Sequence, residues 1–125
     1  MDAMEDKHLR EETLSSQPLL SSHFLQVLGD TVRLPDGRTA TRDYIVHPGA
    51  VMVIPLLHTT DGWRVVLERQ FRYPVHRVMV EFPAGKLDAG EATLACGQRE
   101  LLEETGYTAT EWAHAGVTPP CLPPS

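Results

Sequence analysis

Three glutamates lie unusually close along this chain. Glu100, Glu103 and Glu104 stand at offsets of zero, three and four, and Arg99 directly precedes them. On a helix, steps of three and four return to the same face. At roughly 100° per residue, Arg99, Glu100, Glu103 and Glu104 share one sector with Cys96 and Gly97, while Leu94, Ala95, Leu101 and Leu102 take the opposite one. The spacing predicts an amphipathic helix that starts near Thr93 as N-cap, presents a carboxylate-rich face and ends at Gly106 as C-cap. Two like charges about 4 Å apart cost roughly 4 kcal/mol at an effective dielectric of 20, and Arg99 is the one cation in that sector. A divalent cation would relieve the repulsion. All-oxygen ligands suit magnesium or manganese rather than zinc. A solvated acidic helix face has the same spacing, so the glutamates alone leave both readings open.

The flanking residues add a longer pattern. Gly85 stands six residues before Glu91, Glu91 stands eight before Arg99, and Gly106 is followed by Tyr107. The stretch GKLDAGEATLACGQRELLEETGY fills every fixed position of the Nudix box: glycine, five residues, glutamate, seven residues, then Arg-Glu-apolar-any-Glu-Glu-any-Gly-apolar. With each residue type used at roughly 7%, seven fixed matches arise by chance in about one such chain in a million. The chain therefore resembles the Nudix hydrolases. The segments FLQVLGDTVRLPDGRTATRDYIVHPGAV, VVLERQFRYPVHRVMVEFPAGKLDAGE and RELLEETGYTATEW are similar to the ADP-ribose pyrophosphatase branch, and the likeness runs from about Leu14 to Val117.

That resemblance implies a fold and a chemistry. The fold is of the α+β class, a Nudix-type α/β/α sandwich with a mixed sheet and an N-terminal antiparallel β-arm. The activity is magnesium- or manganese-dependent hydrolysis of the diphosphate in ADP-ribose or a related nucleoside diphosphate sugar, giving AMP and ribose 5-phosphate. Glu100 and Glu104 become metal ligands, Glu103 a ligand or a hydrogen-bond partner of a metal-bound water, and the backbone carbonyl of Ala84 a further ligand. Arg99 orients the glutamates, while Gly85, Glu91 and Gly106 shape the box. Arg72 meets substrate phosphate or the terminal ribose, and Arg42 reaches the nucleotide of a second subunit, so a homodimer through the arm is implied. Each of these two is also explained as an edge-strand surface arginine. Glu81 is a strand-end residue that either joins the site or is structural. His47 reads as turn structure, and Trp63 and Trp112 as core.

Composition is consistent with this. At 125 residues the chain holds one compact domain at most. The expected division is an arm and β-subdomain over 1–46, a Nudix domain over 47–118 and a Pro-rich tail over 119–125. A formal charge of −6 without a basic block excludes nucleic acid and anionic membranes as main partners. Cys96 and Cys121 match no metal spacing and are expected as free thiols, which points to a reducing, cytoplasmic setting. The resemblance also implies further strands, a helix and a glutamate-bearing loop beyond the box. The text there is TPPCLPPS, so those elements are expected to be missing. The alternative function is then a shortened, weakly active or inactive fragment that binds metal or nucleotide without efficient turnover.

The remaining elements must position the box. Met1 to Glu12 reads as a frayed arm. His23–Leu34 reads as a strand with a turn or bulge at Gly29-Asp30, and Arg38–Val46 as its partner across the Pro35-Asp36-Gly37 turn. Ala50–Leu57 reads as a central strand covered on both faces, with Pro55 as a bulge or its end. Trp63–Arg69 and Arg77–Phe82 follow as strands, Pro83-Ala84-Gly85 as a tight loop, and Glu111–Val117 as a last strand. Gly97 inside the helix suggests close approach of another backbone.

Overall fold

A computed structural model describes residues 6–119. Cys121 and nearly all of the Pro-rich tail lie outside them. The chain divides between Pro48 and Gly49 into two compact units.

The first unit is a three-stranded antiparallel sheet, β1 (Glu12–Ser21), β2 (Gln26–Arg33) and β3 (Thr39–Val46), in that spatial order. Pro18 has no amide hydrogen to donate, which suits its place on edge strand β1, where the register shifts between Pro18 and Leu20. Gly29 and Asp30 do not form a turn. They lie inside β2, opposite Gln17 and Ser16, and a Cβ at Gly29 would meet Leu19 Cδ1 at 2.9 Å, so a side chain there would have to push the exposed Leu19 aside. Asp30 is buried and accepts a 2.9 Å hydrogen bond from the Tyr44 hydroxyl. The Pro35-Asp36-Gly37 turn forms as expected. Gly37 has φ 91°, and the amide of Arg38 donates to Asp36 at 3.0 Å.

Among the described residues the second unit contains three antiparallel strand pairs, one α-helix and a short 3-10 turn at Tyr73–Val75. The pairs are β4 (Ala50–Met52) with β9 (Ala84–Lys86), β5 (Leu56–Thr59) with β6 (Gly62–Val65), and β7 (Glu68–Arg72) with β8 (Arg77–Glu81). The helix α1 spans Thr93–Thr105 and packs on β9 and β4. Its buried residues are Cys96, Gly97, Glu100 and Leu101. With Val53 and Pro83 they form the core of this unit.

Several expectations are corrected here. Ala50–Leu57 is broken at residues 53–55 because Pro55 cannot extend the ladder, and Met52 and Leu56 are exposed rather than covered on both faces. Trp63–Arg69 likewise divides between β6 and β7. The Pro83-Ala84-Gly85 loop contains the start of a strand, with Gly85 opposite Val51. Thr93 is the first helical residue; the cap is Ala92, without a side-chain cap bond. A Cβ on Gly97 would meet the Trp112 ring at 3.4 Å and Val53 Cγ2 at 3.6 Å, so side chains, not a backbone, approach it. Glu111–Val117 has no strand pairing among the described residues. Trp112 is half-buried, whereas Trp63 is 68% exposed and is not core.

The helix is also rotated relative to its hydrophobic pattern: Leu101 is buried as that pattern places it, but the inward face is shifted towards Cys96 and Glu100. Leu94 and Leu102 are exposed, and the sector holding Cys96, Gly97 and Glu100 faces the strands. Small side chains at positions 96 and 97 let the helix approach β4 and β9 closely. That approach carries Glu100 inward with them.

Candidate active site

Arg99 is the hub of the box. Its Nε and Nη2 donate to the two oxygens of Glu91 at 2.9 and 2.8 Å. Nη1 donates to Glu100 at 2.9 Å and to Glu103 at 3.4 Å, and Nη2 also reaches the Lys86 carbonyl at 3.2 Å. One guanidinium thus joins the loop after β9 to the helix. Glu91 also accepts from the Asp88 amide at 3.0 Å. Hydrogen bonds from Arg99, then the Asp88 amide, hold the Glu91 carboxyl down at about 2. The same bonds to Glu91 push Arg99 further up from its ordinary value.

Gly85 is required by space. A Cβ at this position would overlap the Glu100 carboxylate itself. Glu100 is 9% exposed, and burial raises its pKa, with Arg99 opposing and Glu104 adding to the rise. Glu104 accepts a 3.2 Å bond from the Ala84 amide. Its carboxyl is also raised, first by desolvation and then by a hydrogen bond with Glu68. Glu68, on β7, is a site residue that sequence reasoning missed. Its signal was the alternation Glu68, Gln70, Arg72, which places all three on one strand face.

Arg72 lies on that face and is held by Glu81, with Nη2 to Oε1 at 2.6 Å and Nε to Oε2 at 2.9 Å. The pairing keeps the Glu81 carboxyl below the usual range. Gly106 ends the helix at φ 77°, its amide donating to the Leu102 carbonyl at 2.9 Å. Arg42 belongs to the first unit, where it makes a bidentate pair with Glu11 at 2.8 and 3.0 Å. His47 lies in the irregular stretch between β3 and β4. Cys96 is a buried free thiol whose Sγ lies 3.5 Å from the Lys86 carbonyl, and burial pushes the thiol up.

The donor set fits a hard divalent cation. Burial raises the carboxyls of both Glu100 and Glu104, even though Arg99 lies 2.9 Å from Glu100, and a bound cation would offset the cost of ionising both. Among the described residues no three acidic, histidine or cysteine side chains converge as a ready-made cage. Magnesium does not demand one, because it keeps several waters and uses one or two carboxylates together with substrate phosphates.

Residues 46–123 match the NUDIX domain, and residues 11–45 match the nucleoside diphosphate sugar hydrolase N-terminal domain. The chain belongs to the Nudix family. Among its relatives, the ADP-ribose pyrophosphatase of Bacillus subtilis is 41% identical over 103 residues, covering 82% of this chain and 54% of that protein. The methanol dehydrogenase activator of Bacillus methanolicus is 38% identical over 116 residues, covering 91% of this chain and 61% of that protein. A solved ADP compounds hydrolase shares the fold, with a TM-score of 0.70 at 22% identity over 82% of this chain and 54% of that one. This Nudix chain therefore spans a little over half the length of these relatives, and the α+β class holds. No helix among the described residues is long and apolar enough to cross a membrane.

Proposed function

We propose that this Nudix protein hydrolyses the diphosphate of ADP-ribose or a related nucleoside diphosphate sugar with magnesium or manganese, giving AMP and ribose 5-phosphate. The observation that carries the reading is Arg99. It gathers Glu91, Glu100 and Glu103 around the Gly85 loop while Glu104 holds the Ala84 amide. The name of the Bacillus subtilis relative, ADP-ribose pyrophosphatase, supports the substrate class.

Glu100 and Glu104 would hold the cation, with Glu103 as a ligand or a partner of its water and the Ala84 carbonyl as a backbone ligand. The cation supplies phosphate charge neutralisation and a more acidic attacking water. The chain's own residues do the rest. Arg99 locks the rotamers of Glu100 and Glu103, an orienting role of the kind that typically costs 10–100-fold in affinity or activity when lost. Glu91 fixes Arg99, and Gly85 lets the β9 backbone approach Glu100. Arg72 exchanges Glu81 for substrate phosphate, and Arg42 serves the nucleotide from the arm of a second subunit. Hydrolysis breaks one bridging P–O bond as water oxygen joins the same phosphorus.

The setting proposed is cytoplasmic, with neither nucleic acid nor membrane as partner. The protein is a homodimer through the arm, where β1 and β3 are edge strands of their sheet. The test is AMP release from ADP-ribose with and without magnesium, alongside sedimentation. Magnesium-dependent formation of AMP and ribose 5-phosphate by a dimer is expected. Absence of AMP with magnesium present refutes hydrolysis by this chain and favours the alternative of binding without turnover, and a compact monomer at micromolar concentration refutes the assembly.

A further inference from the structure

The β7–β8 hairpin has two distinct faces. Register sets Glu68 opposite Glu81, Gln70 opposite Met79 and Arg72 opposite Arg77. Directly opposed residues of an antiparallel pair share a face, so these six lie together, and Arg69, Phe71, Val78 and Val80 lie on the reverse. Like charges directly opposite each other repel. Arg72 escapes this by reaching along the strand to Glu81, four positions from its own cross-strand neighbour. That is about 13 Å of strand. Arg77 stays at the open end of the same face, exposed and in no ion pair among the described residues. The turn before it is fixed. His76 is held in the left-handed region, at φ 51° and ψ 42°, with its ring 4.7 Å from Tyr73 and 6.3 Å from Phe71.

We infer that Arg77 is a substrate-recognition residue that closes, with Arg72, as a two-arginine clamp on the linked phosphates of a nucleoside diphosphate sugar. Without an anion the two guanidiniums repel and Arg72 rests on Glu81. A diphosphate between them reverses the sign of the interaction, and each planar guanidinium can take two phosphate oxygens. The clamp rests on the reading of Arg72 proposed above and extends it to a second cation.

The experiment titrates inorganic pyrophosphate and ADP-ribose in parallel, with magnesium, into wild type, R77Q, R77K and R69Q by calorimetry. Arg69 lies on the reverse face, so R69Q removes the same charge from the same hairpin. Circular dichroism verifies that each variant is folded. Pyrophosphate affinity is expected to fall about tenfold in R77Q, the scale of one lost charge-assisted contact, to recover partly in R77K and to change less than about twofold in R69Q. Equal affinities in R77Q and R69Q would overturn the clamp, as would a wild type that does not bind pyrophosphate. Arg77-dependent binding of pyrophosphate without binding of ADP-ribose would support the clamp and overturn the substrate assignment instead.

Discussion

Replacing Gly85 with alanine tests how the box is assembled. The added Cβ would overlap the Glu100 carboxylate. The strand cannot retreat easily. Gly85 pairs with Val51, the Val53 amide donates to Pro83 at 2.8 Å, and the Leu87 amide donates to Gly49 at 3.0 Å. Glu100 is pinned from its other side by Arg99 at 2.9 Å. Relief therefore needs a carboxylate shift of about 1 Å, enough to matter for a positioned catalytic group. Overpacking of this kind costs about 1–3 kcal/mol, and displacing a ligand from its support lowers metal affinity about 10–100-fold. Urea denaturation should show the midpoint falling with little change in slope, and manganese titration should show the affinity loss. In an E100A background the colliding atoms are gone. There the same alanine should cost under about 0.5 kcal/mol, leaving a coupling of about 1–3 kcal/mol between the two sites. An unchanged midpoint in G85A, or an equal cost in both backgrounds, refutes the argument.

Other outcomes follow from the same geometry. E104Q should weaken manganese binding at least about tenfold, whereas D88A, whose carboxylate is largely exposed and 3.6 Å from Arg99, should change it little; equal losses would misassign the ligand. Glu91 has its carboxyl lowered from 4.5 to about 2, so its stabilisation is complete above the upper value and lost as pH falls towards the lower one. Urea denaturation across that window should show a shallower pH dependence for E91Q than for wild type, and identical slopes would contradict the assignment. W112A should destabilise by about 1–3 kcal/mol, because the half-buried ring packs at Gly97, and W63A by under about 0.5 kcal/mol. Thermal melts giving the reverse order would mean that the ring of residue 112 is not part of the packing.

Much of the site was legible because its chemistry is local. Glu100, Glu103 and Glu104 need only helical spacing to reach one face, and Gly106 needs only its backbone freedom to end the helix. The turn at Pro35-Asp36-Gly37 was legible for the same reason. The elements were harder wherever a partner decides them. Gly29 signals a turn by type, yet it sits inside β2 because Gln17 on β1 and Asp43 on β3 pair with it from both sides. Ala84 to Lys86 becomes a strand only because β4 lies beside it.

The sequence by itself determined the identity and spacing of the box residues, and with them which carboxylates share one helix face. Tertiary structure alone decided which way the helix faces. Hydrophobic periodicity places Leu94 and Leu102 inside, but the small residues Cys96 and Gly97 permit the closer approach to β4 and β9, and Glu100 is buried as a result. It also decided the partners of the charges. Arg99 to Glu91, Arg72 to Glu81 and Glu104 to Glu68 are contacts between separate elements. Spacing along a chain cannot specify them, because each depends on where a second backbone runs.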